Sequence, residues 1–373
     1  VATNAATVAI VVLCVNVPVG LSILGVSSEN RRTALALFTA LALAQFIAGL
    51  VAATSGYLAR RAAGTMAPPG AWPMVLGVLT TLGALVGWLL GWMGYELIGL
   101  GGAWGRPLRV RGRQRHPELT EGADWTHGHR PDATALAEDD RRALEALWLH
   151  DAQKEHASVP AFSRLSWALA AVGAPAELLA WAHRAALEEI DHAQRCFALA
   201  AGYGGRSFTV EPMPDLLHGA LELDGDVVAL LARESVSDGG QLEDFNADVA
   251  AACAAVCEEP VTRHVLEQIA REERSHADFS WALITWLLER HPERAWPAVR
   301  QALAELERYP RPKAVSTTLA PLVSRASPEV LRRHGRLPDQ QWAALWEQRL
   351  VATRARVQAL DPDRVLSMRR SAS

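Results

Sequence analysis

Ala-Leu-Glu-Glu-Ile-Asp-His-Ala, residues 186–193, and Arg-Glu-Glu-Arg-Ser-His-Ala, residues 271–277, carry the same Glu-x-x-His spacing, at Glu189/His192 and at Glu273/His276. Residues three apart lie on one face of a helix, so each pair aims a carboxylate and an imidazole at one point. Two such helices, with one inward Glu from each of two others, are how a four-helix bundle holds a pair of metal ions.

Working outward, the two further Glu must be found upstream. A helix is expected from near Asp139 through Glu155, with Pro160 forcing a kink or a lost hydrogen bond, and it should end at Gly173-Ala-Pro175. A second should run from about 175 to 201 and close on Gly202-Tyr203-Gly204-Gly205. In an antiparallel hairpin, residues level with each other are symmetric about the turn. The midpoint of Glu155 and Glu189 is 172, beside that turn. The second hairpin should turn at Cys257-Glu258-Glu259-Pro260, where Pro suits the first helical position. Glu243 and Glu273 have their midpoint at 258, on the turn, whereas the competing Glu234 gives 253.5, inside the helix. Spacing therefore favours Glu243. Both acids can face the metals only if Gly239-Gly240 breaks the helix, and those glycines could equally host a π-bulge.

The neighbouring polar residues invite blander readings. Glu188, Glu258, Glu259 and Glu272 are expected to face solvent. His156 points about 100° away from Glu155, outside the ligand face. Asp151, one turn before Glu155, either orients a metal-bound imidazole or is a surface acid. Cys196, one turn past His192, reads as a core thiol. Carboxylates with a few imidazoles suit iron or manganese. The four cysteines, Cys14, Cys196, Cys253 and Cys257, form no Cys-x-x-Cys, which argues against an iron–sulfur or structural zinc site and fits a reducing compartment.

The two motifs above, together with Glu-His-Ala-Ser-Val-Pro-Ala-Phe-Ser-Arg-Leu (155–165), resemble the ferritin-like superfamily, nearest its little-characterised bacterial members, over about 138–290. The resemblance implies an all-α, ferritin-like four-helix bundle. It also implies a non-haem centre of two iron ions, with manganese as the alternative. The ligands it implies are Glu155, Glu189, His192, Glu243, Glu273 and His276. Relatives include hydroxylases of quinone or modified tRNA, peroxidases and iron stores. The segment Asp238-Gly239-Gly240 departs from the family's regular third helix, and so bears on the sixth ligand.

The first hundred residues are a different material. Three apolar runs, at about 5–26, 33–58 and 73–100, are each long enough for the roughly 20 helical residues that cross a bilayer. The third carries Gly83, Gly87 and Gly91, a spacing that lets membrane helices approach closely. Residues 1–100 are thus expected to be a three-span anchor in the cell membrane. Arg106, Arg109, Arg111, Arg113 and Arg115 follow the third run and place the C-terminal bundle in the cytoplasm. Residues 101–136 read as a solvated linker whose arginines could meet anionic lipid, 137–290 as the di-metal bundle, and 291–373 as an accessory helical tail with amphipathic segments at 294–307 and 338–359. The net charge of −4 gives no sign of nucleic-acid binding. No glycine-rich nucleotide loop, flavin motif or rubredoxin-like cysteine pair is visible, so electrons would come from a separate donor. The function expected is a membrane-anchored di-iron oxidoreductase or hydroxylase using oxygen or peroxide. The alternatives are iron binding or peroxide protection without an organic substrate, and a non-catalytic membrane scaffold.

Overall fold

The computed structural model describes residues 105–110, 113–217, 225–309 and 311–361. The three expected spans lie outside them. Among the described residues, no helix is long and apolar enough to cross a membrane.

The described part is helical, with short strands added. Helix α1 (Glu138–Ala171) opens with Glu138, Asp139 and Asp140, whose charges suit the positive end of the helix dipole. It continues unbroken through Pro160, which removes one backbone hydrogen bond without ending the helix. The chain reverses at Gly173, whose φ of 68° is left-handed. Helix α2 (Ala176–Gly204) then packs back along α1 and stops at Gly205, also left-handed, whose N–H donates to the Ala201 carbonyl.

The second hairpin has an irregular first arm. Helix α3 (Val227–Glu234) starts at Asp226, whose carboxylate accepts from the N–H groups of Val228 and Ala229. It passes into a π-helical segment, Ser235–Glu243, and then into helix α4 (Asp244–Val256). After a short turn, helix α5 (Pro260–Arg290) begins with Pro260 in its first turn and the Glu259 carboxylate accepting from Thr262 N at 2.5 Å. The π-segment and α4 both pack on α5, and α5 packs on α2. Trp148, Phe162, Phe197, Phe245 and Phe279 are fully buried between these elements.

Gly239 and Gly240 let the π-segment press on α5. A Cβ at Gly239 would lie 1.9 Å from Ser280 Oγ, and one at Gly240 would lie 2.5 Å from the Trp281 ring. No larger residue fits either contact without moving a helix.

The tail holds this segment from outside. Helix α6 (Pro292–Leu306) packs on α3. A single turn at Ala320–Val323 and helix α7 (Pro328–Arg333) lead to helix α8 (Asp339–Ala359), which lies against the π-segment and α4. Trp342 and Trp346 of α8 meet the Phe245 ring edge-on, with centroids 5.5 and 5.2 Å away. Thr353 Oγ1 donates to the Gly240 carbonyl at 3.3 Å, and the Arg356 guanidinium sits 4.6 Å over Trp281.

The stretch read as a solvated connector is instead folded onto the bundle where it is described. Strand β1 (Arg109–Val110) pairs antiparallel with β2 (Arg113–Gln114), and β3 (Leu119–Glu121) pairs with β4 (Phe208–Val210). Leu108 and Val110 are buried. Arg109 donates to both carboxylate oxygens of Asp238 in the π-segment, at 2.5 and 2.9 Å, and so meets a protein acid. The apolar residues between the arginines drive this packing, which a reading by composition alone misses.

Candidate metal centre

Glu155 comes from the middle of α1, Glu189 and His192 from α2, Glu243 from the end of the π-segment, and Glu273 and His276 from α5. All six are fully buried. They form two overlapping groups, Glu155 with Glu189, His192 and Glu273, and Glu189 with Glu243, Glu273 and His276. Within each group the donor atoms lie within 4.8 Å of one another. Glu189 and Glu273 belong to both groups, while each group has its own imidazole and its own further Glu.

The structure thus brings together all six residues singled out by spacing. It also separates the two candidates of the third helix. Glu243 joins the cluster, whereas Glu234 accepts from Arg164 Nη2 of α1 at 2.6 Å. The step of nine residues from Glu234 to Glu243 is taken by the π-segment, so the turn of the helix there is not the regular one assumed for the spacing argument.

Both imidazoles present Nδ1 inward. His192 Nδ1 lies 3.6 Å from Glu189 and 3.9 Å from Glu155, and His276 Nδ1 lies 3.4 Å from Glu189 and 3.9 Å from Glu273. Their outer nitrogens are bonded crosswise. His192 Nε2 is 2.7 Å from Glu272 of α5, and His276 Nε2 is 2.8 Å from Glu188 of α2. Glu188 and Glu272 are therefore not the plain solvent-facing acids their sequence neighbourhood suggested. Each sits beside a cluster Glu on its own helix and orients the imidazole of the opposite helix. Gln268 holds Glu272 in turn, 3.1 Å from Oε1.

Both oxygens of each cluster Glu, and Nδ1 of both imidazoles, are buried without a hydrogen-bond partner. Buried polar atoms in folded proteins are almost always partnered, and an orphaned group costs about 1–3 kcal/mol. Ten such atoms around one point fit a site built for cations. Four carboxylates bring four negative charges, which two divalent ions would match.

The acid–base properties have the same origin. Burial, with the neighbouring Glu189 carboxylate, raises Glu155 well above the usual carboxylate range. Burial, with Glu243 close by, does the same to Glu273, and burial raises Glu243 itself. Burial would raise Glu189 too, but the flanking imidazoles outweigh it and hold this carboxyl at about 2. Burial opposes charging of His276, yet Glu188 and Glu189 carry it to about 9, and His192 is raised well above its ordinary value by Glu189 and Glu272. Without metal, protons on these groups supply the compensation that ions would otherwise provide.

Other sequence candidates lie elsewhere. Asp151 faces Arg336 at 2.6 Å, and that guanidinium lies 3.9 Å over the Trp148 ring, so Asp151 orients no imidazole of the cluster. His156 meets Trp125 edge-on at 4.6 Å, and burial lowers its pKa to about 4. Cys196 is buried, and burial pushes its thiol well above the ordinary value, so it stays protonated.

One contact at the site had no signal in the sequence. A Cβ at Gly105 would lie 2.9 Å from Glu155 Oε2 and 2.2 Å from Ser158 Oγ, and the φ of this residue is +68°. Ser158 Oγ donates to the Arg106 carbonyl at 3.0 Å, fixing the chain as it passes. Glycine is needed here both for the backbone conformation and for the close approach to the cluster.

Compared with known proteins, the chain matches no family model, no curated protein and no solved structure.

Proposed function

We propose that this cluster is a di-metal centre holding two iron ions, with manganese as the alternative, in a ferritin-like bundle, and that it serves an oxygen- or peroxide-dependent oxidoreductase. The observation that carries the reading is the pair of overlapping donor groups, sharing Glu189 and Glu273, whose inward atoms have no protein partner. Glu155 and His192 would help hold one ion and Glu243 and His276 the other, with Glu189 and Glu273, common to both groups, available to either. Oxygen donors with one imidazole per ion match iron and manganese better than zinc or copper.

Bound iron would supply the electrons with which dioxygen or peroxide is reduced. The chain's own residues supply geometry and protection. Glu188 and Glu272 keep the proton on Nε2 of each imidazole, which leaves the Nδ1 lone pair facing inward. The Phe162 ring, 5.2 Å from that of His276, closes one wall with an apolar face. The three apolar runs before residue 100 support attachment to a membrane, and the arginines after them support a cytoplasmic bundle. A membrane location favours an apolar substrate, and with no visible nucleotide, flavin or rubredoxin-like motif the electrons would come from a separate donor.

The test is to load the full chain anaerobically with ferrous iron and expose it to dioxygen or to peroxide, following oxidant consumption and iron oxidation together. Rapid oxidation at about two irons per chain, lost on changing Glu189 to Ala, is expected. Iron that oxidises no faster than free ferrous iron would refute the redox reading. A single turnover that leaves only ferric protein and no organic product would point to iron binding or peroxide protection.

A further inference from the structure

Arg106 is a buried cation that no acid claims among the described residues. Its residue is 2% exposed, its Nη1 has no hydrogen-bond partner, and its Nη2 reaches only the Glu234 backbone carbonyl, at 3.5 Å. The two acids nearby are taken by other arginines. Asp238 accepts from both arms of Arg109, and the Glu234 carboxylate accepts from Arg164. Three guanidinium groups therefore face two carboxylates, and the positive charge of Arg106 is left over. Burying a charge without a paired counter-ion is costly, so its placement calls for an account.

That charge lies beside one half of the metal cluster. The guanidinium carbon is 5.4 Å from the centre of the Phe162 ring, which meets the His276 ring at 5.2 Å, so the guanidinium stands within about 11 Å of that imidazole. A Cβ at Gly239 would lie 3.6 Å from Arg106 Nη1 and 1.9 Å from Ser280 Oγ. Gly239 is four residues before Glu243, and Ser280 is four after His276, close to one helical turn in each case. The packing there is tight, so the charge acts on the cluster through space rather than through a bound group. Burial raises the Glu243 carboxyl, and the Arg106 charge works against that rise. At the Glu155 end the nearby cation is Lys154, but burial lowers its ammonium to about 8, so it can give up its charge, whereas a guanidinium does not.

We propose that Arg106 is a fixed positive charge that sets the metal affinity and the reduction potential of the centre, acting most strongly on the ion held by Glu243 and His276. This rests on the di-metal reading and deepens it by naming a residue that tunes the centre without ligating it. A positive charge opposes the arrival of more positive charge. It therefore loosens the hold on a divalent ion and favours ferrous over ferric iron, which makes the centre easier for a separate donor to reduce. At about 10 Å, with the effective dielectric of about 20 that suits protein interiors, a unit charge shifts the ferrous–ferric ratio on the order of tenfold, or about 59 mV for one electron.

The experiment compares wild type, Arg106→Met, Arg106→Lys and Asp238→Asn as full chains loaded anaerobically with ferrous iron. Iron affinity is measured by competition with a chelator, and midpoint potential by spectroscopic redox titration. Arg106→Met should bind ferrous iron about tenfold or more tightly, one binding step moving more than the other, and its potential should fall by about 59 mV or more. Arg106→Lys keeps the charge and should stay near wild type. Asp238→Asn leaves a further positive charge at the same place, so it should move both quantities the opposite way, and it decides the matter if Arg106→Met does not fold. A side chain that served packing alone would loosen iron when replaced. Weaker iron binding in a folded Arg106→Met chain, or a potential unchanged or raised, would therefore overturn the proposal while two irons in wild type kept the metal reading standing. A wild-type chain that takes up no iron would sink both.

Discussion

Changing Gly240 to Ala should destabilise this protein, although the same change stabilises an ordinary exposed helix by about 1 kcal/mol. The added methyl would sit 2.5 Å from Cζ2 of Trp281, 2.7 Å from Cε2 and 3.1 Å from Cη2. Carbon atoms rest about 3.5–4.0 Å apart, so the π-segment and α5 must part by about an ångström. The indole has nowhere to go, because Arg356 covers its ring at 4.6 Å and its Nε1 donates to Asp244 at 3.4 Å. Overpacking of this kind costs about 1–3 kcal/mol. The Thr353 bond to the Gly240 carbonyl would be strained too, adding about 0.5–1.5 kcal/mol. Cost exceeds gain by about 1–3 kcal/mol, and at about 2–4 °C per kcal/mol the melting temperature should fall by several degrees. The assay is thermal unfolding of both proteins followed by circular dichroism, with metal content alongside, since Glu243 lies three residues further on. A melting temperature equal to or above that of wild type would refute the packing argument.

Four further outcomes are expected from the geometry. Glu272→Gln and Glu188→Gln should each weaken iron binding about 10–100-fold, to similar extents because their roles are symmetric; competition with a chelator would measure this, and an unchanged affinity in either would contradict the crosswise pairing. Glu243→Ala should lower bound iron while Glu234→Gln, which disturbs only the Arg164 pair, should leave it unchanged, and the reverse result would restore Glu234 as the ligand. Arg336→Met should destabilise the fold by about 3–5 kcal/mol by leaving buried Asp151 without its guanidinium partner, as denaturant unfolding would show, and a loss under 1 kcal/mol would disprove that pairing as a structural element. Between pH 7 and 8 the metal-free protein should lose stability as pH rises. His192 and His276 hold more protons folded than unfolded there, so the folded state is penalised as protons leave, and the raised carboxyls Glu155 and Glu273 act in the same direction. His116 and His156, each lowered to about 4, act below that window, and Lys154, lowered to about 8, opposes the trend toward the upper end of it. Iron binding should correspondingly release protons and tighten with pH, and a melting temperature in chelator that rises from pH 7 to 8 would contradict this.

The cluster was legible in the sequence because its logic is local. Glu189 with His192, and Glu273 with His276, need only helical periodicity to share a face, and Glu155 and Glu243 need only a hairpin turn to stand level with them. The roles of Glu188 and Glu272 were not legible, since each serves an imidazole on the other hairpin, and which flank faces across depends on how α2 and α5 are rotated against each other. Gly105 and Arg106 were hidden for a different reason. Their contacts with Glu155, Ser158 and Gly239 are made across some 50 to 130 positions by a strap too short and too basic to carry a periodic signal. The π-segment was foreshadowed by Gly239-Gly240, but only Ser280 and Trp281 of α5 show why glycine is required at both positions. Helix α8 offered amphipathicity and nothing more, and its hold on the segment through Thr353 and Arg356 emerges only in three dimensions.

The central claim is tested most directly by metal content. The full chain should be used, because Gly105 and Arg106 pack against the cluster and belong to its wall. Purified without added metal, then loaded anaerobically with ferrous iron and desalted, it should carry about two irons per chain, and a Glu189→Ala/Glu273→Ala double variant should carry none. A folded wild-type chain that retains no iron or manganese after loading would contradict the account.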